Sequence, residues 1–487
     1  MDHPSTHRIS GPLRLIALAG LLAIGGAEAG EAGGPPMKGH PTDWFRKAGC
    51  GVFTHYLTGS EMSAEDWNRR VDAFDAPGLA KQLEATRCRY YFITLGQNSG
   101  HYCSPNAAYD RYAGIQPSKC SKRDLVADLA AALKPKGIRL MLYLPCQTPN
   151  RDRRAQRGFG LREGPADQPI HEAFARKWAE VIGEWAARYG KDVAGWWFDG
   201  AYRHVRFGDA IARIYADAVK LGNPNAIVAF NPGVMLRHWV EAEDYTAGEI
   251  NEPQRIECPG RWVSASQWHM LSYLGPHWGA GPPRFPNEAV IEMTRDIIQS
   301  EGVVTWDVPI QANGLIPEPF VRQLATLKAA LAQPPVPVVP VPPGNLAYRK
   351  RAQLLDVTGA KMLDVNSGKH FARNGVDGDP TTRAQAGGEW PWTFHVDLGA
   401  GHPLDRVVIT FDKDCYATEY KVNLSVDRGA WTTVAHAKDV AGGKAEHRFE
   451  PTAARYVRIQ ALKPDGPNQK GRQMGIVELE VYAREGK

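Results

Sequence analysis

Val193-Ala-Gly-Trp-Trp-Phe-Asp-Gly-Ala-Tyr202 is an apolar run that ends in a carboxylate. Small and aromatic residues bounded by turn formers read as a buried strand. Asp199 closes that strand, just before Gly200 opens a loop. A charge there is costly unless it is paired, hydrogen-bonded or used. In parallel α/β proteins the C-terminal ends of strands carry the chemistry. Capping a helix, or pairing with Arg203, is the plainer use of such a residue. The segments on either side decide between these uses.

Those segments alternate between strand-like and helix-like. Strands are predicted at Gly51–His55, Tyr90–Leu95, Ile138–Leu144, the Asp199 run, Ala226–Asn231, Tyr245–Glu249, Ser264–Trp268 and Val303–Pro309. Helices are predicted at Ala76–Ala85, Asp124–Leu133, His171–Tyr189, Phe207–Leu221, Asn287–Ser300 and Glu318–Leu331. Phe174, Trp178, Val181, Ile182 and Trp185 make one apolar face of the longest. Eight strands in this alternation over residues 40–332 predict an α/β class (β/α)8 TIM-like barrel. Residues 333–344 hold so much proline that they read as a stiff extended linker. Beyond it, over 345–485, short alternating strands predict an all-β sandwich.

Residues 1–29 have the pattern of a secretory signal. Arg8 and Arg14 precede the apolar run Leu15–Ile24, and Ala27-Glu-Ala29 offers a cleavage site. That run is too short to span a bilayer, so a secreted or periplasmic protein without a transmembrane anchor is expected. Export permits disulfides. Seven Cys leave at least one thiol unpaired; Cys103 with Cys120 is a candidate staple, but spacing assigns no pairs. A net charge of +5 with no basic run argues against nucleic acid as a partner. Zinc-ligand spacings are absent from the sequence.

Glycoside hydrolysis needs two carboxylates, one to attack or activate water and one to donate a proton. Asp199 is the first candidate. Glu249, in Asp244-Tyr-Thr-Ala-Gly-Glu249, is the second, with Glu241, Glu243 and Glu252 as competitors. His55 ends the first strand, where it points into the barrel mouth. Gln97 and Asn98 follow the second, and their amides suit sugar hydroxyls or turns. Tyr143, Trp197, Trp268 and Trp306 are candidates to wall a sugar, with core packing as the competing use.

The residues also carry a resemblance. Trp44-Phe-Arg-Lys-Ala-Gly-Cys-Gly-Val-Phe-Thr-His55, Gly195-Trp-Trp-Phe-Asp199, Asp244-Tyr-Thr-Ala-Gly-Glu249 and Val303-Val-Thr-Trp-Asp-Val-Pro-Ile310 occur in the order of motifs of the α-L-fucosidase family of retaining glycoside hydrolases. The resemblance implies Asp199 as nucleophile, Glu249 as acid/base, a terminal α-L-fucoside on a fucosylated glycan as substrate, and no cofactor for catalysis. Three departures stand out. Gln97 and Asn98 replace a pair of His that contact the sugar, Asp307 replaces an Asn, and the acid/base segment lacks a Pro. A hydrolase of the same fold acting on another sugar therefore remains an alternative. So does a non-catalytic glycan-binding protein.

Asn374-Gly-Val-Asp-Gly-Asp-Pro-Thr-Thr382, Trp392-Thr-Phe-His-Val-Asp-Leu-Gly399 and Val477-Glu-Leu-Glu-Val-Tyr482 resemble discoidin-like (F5/8 type C) carbohydrate-binding domains. That resemblance implies a structural Ca2+ held by Asp377, Thr382 and Glu478 with main-chain oxygens of Asn374 and Asp379. Oxygen ligands of this kind suit Ca2+, and Asp-Gly-Asp is equally plain turn chemistry.

Overall fold

The computed structural model describes residues 39–86, 88–253, 260–333, 340–356, 370–386, 392–463 and 474–484. The expected signal segment, Cys258 and residues 334–339 of the Pro-rich stretch lie outside them. Among the described residues no helix is long and apolar enough to cross a membrane.

The first body runs α1 (Asp43–Ala48), β1 (Cys50–Thr54), α2 (Ala64–Asp72), α3 (Ala76–Ala85), β2 (Tyr90–Thr94), α4 (Ala107–Ala113), α5 (Leu125–Leu133), β3 (Arg139–Pro145), α6 (Arg153–Phe159), α7 (Glu172–Tyr189), β4 (Val193–Asp199), α8 (Asp209–Lys220) and β5 (Ile227–Phe230). It continues with β6 (Trp262–Val263), β7 (Ser266–Gln267), β8 (His269–Tyr273), α9 (Asn287–Gln299), β9 (Val303–Asp307) and α10 (Glu318–Leu331). Side-chain oxygens start several helices where the sequence places them: Asp75, Asn106, Asp124 and Asp152 each accept a backbone N–H of the following first turn.

Seven strands form one curled parallel sheet in the order β5-β4-β3-β2-β1-β9-β8. Residues 244–250 join its two ends. Asp244 N–H donates to Val228 O of β5 at 2.8 Å. On the other side Leu271 N–H donates to Gly248 O at 2.8 Å, and Ile250 N–H to Leu271 O at 2.9 Å. This segment therefore fills the sixth position of a TIM-like ring. The seventh is β8, not the expected 264–268 run. Ser266 and Gln267 instead pair antiparallel with Trp262 and Val263 in a small ribbon. The polar His269 and Ser272 hide β8 from a hydrophobicity scan. No α-helix separates β5 from the 244–250 segment, so the β-α alternation lapses there.

Strand parity splits the core in two. Val52, Tyr91, Ile93, Leu140, Leu142, Trp196, Phe198, Val228, Met270, Val304 and Trp306 face the helices. Phe53, Tyr90, Phe92, Met141, Tyr143, Trp197, Ile227, Ala229, Tyr245, Ala247 and Leu271 fill the ring, with Phe45 of α1 packed among them. Filling by alternate side chains is what closes a barrel of this size.

The second body is antiparallel: β10 (Arg351–Asp356), β11 (Trp392–Phe411), β12 (Glu419–Ser425), β13 (Thr432–Ala437), β14 (Lys444–Lys463) and β15 (Ile476–Ala483). The order is β10-β11-β14-β12-β13, with β15 on β11. A register shift between Asp397 and His402 interrupts the long β11, which is longer than the short strands expected here. Phe394, Val396, Val407, Ile409, Val457, Ile459 and Leu479 form its core. Cys103 and Cys120 are free, buried thiols, so the expected staple is absent.

Candidate active site

Parity also builds the site. Residues two positions beyond the barrel filling reach the mouth on the same face. Phe53 leads to His55, Trp197 to Asp199, Ala229 to Asn231, Ala247 to Glu249, Leu271 to Tyr273 and Thr305 to Asp307.

Asn231 joins the two carboxylates. Its Nδ2 donates to Asp199 Oδ1 at 2.9 Å and to Glu249 Oε2 at 2.5 Å. One nitrogen at those two distances holds the accepting oxygens no more than about 5.4 Å apart. Gly200 N–H adds a second donor to Asp199 Oδ1 at 2.9 Å, and the Tyr143 hydroxyl donates to Oδ2 at 2.6 Å. Gln97 Nε2 donates in turn to the Tyr143 oxygen. Burial pushes the Glu249 carboxyl upward and neighbouring Asp199 adds to the push, while the Asn231 amide and His55 pull it down. Burial and the Asp199 charge hold the Tyr143 hydroxyl protonated.

Among the four acids proposed for the second role, Glu249 is the one this amide ties to Asp199. Glu241 is exposed and lies 3.7 Å from Arg213. Glu243 is buried against His238, Ser266 and the Trp239 N–H. Glu252 is exposed.

His55 stands across the mouth. Its Nδ1 lies 2.8 Å from Asp307 Oδ1. Asp307 is fully buried and also accepts the Gly279 N–H at 2.5 Å. Burial raises the Asp307 carboxyl, and His55 offsets part of the rise. An ionised carboxylate only accepts, so His55 carries its proton on Nδ1 and offers Nε2 to the mouth. Trp278 meets the His55 ring edge-on at 5.8 Å and the Tyr273 ring at 4.7 Å.

The other expected contacts separate. Gln97 and Asn98 line a cavity of about 210 Å³ beside Asp199, together with Gln147, Thr148 and Tyr202. Tyr143 is 1% exposed and acts on Asp199 from below. Trp197 lies one layer deeper, stacked on Tyr143 at 5.4 Å with its indole N–H on Ala247 O. Trp268 and Trp306 have no exposed surface, and Trp306 donates to Thr294 of α9. Both of these pack the barrel wall and do not face a sugar. Sequence reading misses Asn231 as the link between the carboxylates, and Tyr202 and Tyr273 as residues at the mouth. For Asn231 the signal is present, as an amide two places beyond Ala229 on the inward parity.

In the second body the expected cation residues converge. Thr382 Oγ1 donates to Asp377 Oδ2 at 2.8 Å and lies 3.4 Å from Asn374 O and 3.2 Å from Asp379 O. Gly378 N–H donates to Glu478 Oε2 at 3.0 Å. Burial pushes Asp377 up to about 6 and Glu478 up to about 8, and Asp377 adds to the rise at Glu478. Among the described residues no three His, Cys, Asp or Glu side chains gather as a metal group. The donor set here is two carboxylates supplemented by neutral oxygens, a combination that fits a hard cation.

A family model described as alpha-L-fucosidase matches residues 63–332, more than half of the chain. A second, described as NedA-like, galactose-binding domain of the F5/8 type C class, matches residues 374–459. Among curated proteins none matches. Solved structures similar to this chain include a Ruminococcus gnavus family 29 glycoside hydrolase fucosidase in complex with fucose, at 16% identity. That match covers 93% of this chain and 97% of that one, with a TM-score of 0.42. An endo-fucoidan hydrolase of glycoside hydrolase family 107 matches at 16% identity over 62% of this chain and 96% of its own, with a TM-score of 0.49. A chitosan-binding module of a Paenibacillus sp. IK-5 chitosanase/glucanase, in complex with chitotriose, matches at 27% identity. It covers 28% of this chain and all of that one, with a TM-score of 0.25.

Proposed function

The chain belongs to the alpha-L-fucosidase family of glycoside hydrolases, and from that premise we propose an exported, exo-acting, retaining enzyme that releases terminal α-L-fucose from glycans. The observation that carries this reading is the single Asn231 amide shared by Asp199 and Glu249. Retention needs carboxyl groups about 5–5.5 Å apart, whereas inversion leaves room for a water between them. The short span across one nitrogen favours retention.

The steps follow from the two environments. Asp199, held ready by three donors, attacks the anomeric carbon. The bond to the leaving oxygen breaks as Glu249 hands that oxygen its proton. Burial and the Asp199 charge favour the protonated Glu249 that this step requires. Glu249, now a carboxylate, takes a proton from water, whose oxygen attacks the same carbon and releases Asp199. His55 Nε2, Asn98 and the Trp278 face are positioned to hold the sugar. The signal-like N-terminal segment supports export, and the F5/8 type C body supports attachment to the glycan. Asp377, Thr382 and Glu478, with the Asn374 and Asp379 carbonyls, would hold a Ca2+ of structural use.

A second reading, a different sugar, rests on Gln97. Its amide is spent on Tyr143, where the family resemblance implies a sugar contact. Asp199→Asn tests the mechanism: turnover is lost while sugar binding persists, and unaltered turnover overturns the nucleophile. Proton NMR of the first product reads the stereochemistry, where the β-anomer overturns retention. A panel of aryl glycosides decides the sugar.

A further inference from the structure

We propose that Asn231 is a positioning residue that clamps both carboxylates and, by occupying Glu249 Oε2, leaves Oε1 as the oxygen from which Glu249 gives its proton. The inference rests on the Asp199 and Glu249 roles proposed above. It starts from the three residues Asn231-Pro-Gly233.

The backbone of Asn231 is pinned to β4 on both sides. Its N–H donates to Phe198 O at 2.8 Å, and its carbonyl accepts the Ala201 N–H at 2.9 Å. These bonds bracket Asp199 and fix its distance from the Asn231 Cα. The side chain is fixed next. Gly233 N–H donates to Asn231 Oδ1 at 3.1 Å. That turn needs Gly233 at φ +109°, a conformation that residues with a Cβ rarely adopt. Pro232 keeps Asn231 itself out of the helical region. The amide then has one orientation. A backbone N–H only donates, so Oδ1 must face Gly233, and the ionised Asp199 carboxylate only accepts, so Nδ2 must face Asp199, with its second hydrogen on Glu249 Oε2. Each of its two hydrogens has one destination.

The consequence lies at Glu249. A neutral carboxyl has one carbonyl-type oxygen and one hydroxyl. The amide N–H takes the former, so the proton resides on Oε1. The amide therefore selects the donating atom as well as the distance. The same bond favours the charged form of Glu249. The groups that act on this carboxyl are Asp199 of β4, His55 beyond β1, and Tyr202 in the loop after β4. Asp307 stands behind His55, and Tyr143 behind Asp199.

The test uses the full chain, an aryl α-L-fucoside, and the pH dependence of kcat/KM. Asn231→Ala removes a hydrogen bond to each carboxylate. Bonds to charged groups of this kind imply a fall in kcat of about 10- to 100-fold. The alkaline limb, where Glu249 loses its proton, moves up by about one pH unit, because the donor that favoured the charged form is gone. KM changes little, since Asn231 is fully buried beneath the carboxylates. Asn231→Asp keeps the shape and replaces the donor with a third carboxyl oxygen. In that variant the limb moves up further and kcat falls more. A variant that melts like the parent yet leaves limb and kcat in place overturns the clamp. Should Asn231→Ala fail to fold, the isosteric Asn231→Asp decides the question by the same two readouts. Glu249→Gln separates the premises: an alkaline limb that survives it overturns Glu249 as the acid, whereas loss of the limb with Asn231 variants unaltered overturns only the clamp.

Discussion

Tyr143→Phe isolates one hydroxyl in the chain Gln97–Tyr143–Asp199. The ring keeps its stacks on Trp197 and Phe53, at 5.4 and 5.8 Å, so the barrel filling is preserved. What is lost is the 2.6 Å O–H donor to Asp199 Oδ2. A hydrogen bond to a charged group contributes about 1.5–3 kcal/mol. Spent wholly on one step, that is roughly 10- to 150-fold in rate. The two steps divide it unequally. Asp199 loses charge as it attacks, so the donor stabilises the starting carboxylate more than the transition state. During hydrolysis of the intermediate the charge returns to Asp199, and the donor helps it leave. The variant is therefore expected to lose most in the second step. With an activated aryl α-L-fucoside, stopped-flow absorbance shows a burst of phenol close to one equivalent per enzyme. Steady-state kcat falls about 10- to 100-fold and kcat/KM much less. A parallel fall in kcat and kcat/KM without a burst refutes the argument, and so does an unchanged kcat.

Asp307→Asn keeps the shape and reverses a tautomer. The amide oxygen takes the Gly279 N–H that Asp307 Oδ2 accepts, the amide Nδ2 turns on His55 Nδ1, and His55 then presents Nε2–H to the mouth; KM for the aryl fucoside is expected to rise several-fold, because Nε2 no longer accepts a sugar hydroxyl proton. Burial raises the Asp307 carboxyl, so its contribution to stability is full at acid pH and is lost as pH rises through its folded pKa. The amide variant should gain in melting temperature over the parent between pH 5 and pH 8, and calorimetry showing the opposite trend would sink the assignment. In the second body Asp377 and Glu478 are raised to about 6 and about 8. The stability they lend is present at acid pH and declines through that window, so Ca2+ that replaces the protons should raise the melting temperature more at pH 9 than at pH 5. Asp377→Asn should remove that difference while leaving aryl fucoside turnover intact; equal melting in Ca2+ and EDTA at pH 9 counts against a cation there.

The barrel is legible where strands are apolar on both faces. Tyr90–Thr94 and Val193–Asp199 lie between the filling and the helices and read as continuous apolar runs. It is illegible where the inward residues are polar. His269 of β8 hydrogen-bonds Thr305 Oγ1 inside the ring, so a buried strand carries a polar signature. The aromatic residues go astray for a related reason. Trp306 is adjacent to Asp307 and Trp268 to His269, and a shift of one residue exchanges barrel interior for helix-facing wall. Trp197 has the right parity, but it is one inward residue below Asp199, and two residues of strand rise about 7 Å. Proximity in sequence to a functional residue is not proximity to its ligand. Asp199 and Glu249 are legible because both end an inward series. Asn231 ends another in the same way, and escapes notice because an amide bears no charge to explain.

Gln97 stands where the family resemblance implies a sugar-contacting His, and its amide is turned inward on Tyr143. An imidazole at that place could reach a sugar hydroxyl, whereas this amide donates to the Tyr143 oxygen and leaves the Tyr143 proton for Asp199. The replacement draws a recognition position into the support of the nucleophile. Under the proposed function, His55 Nε2 and the Asn98 amide are left for the ring hydroxyls, and the Trp278 face for the apolar C–H surface of the ring. That set contains one acceptor fixed by Asp307 and one amide free to do either. With the retaining pair proposed above, a relaxed sugar preference across a panel of aryl glycosides is the expected outcome.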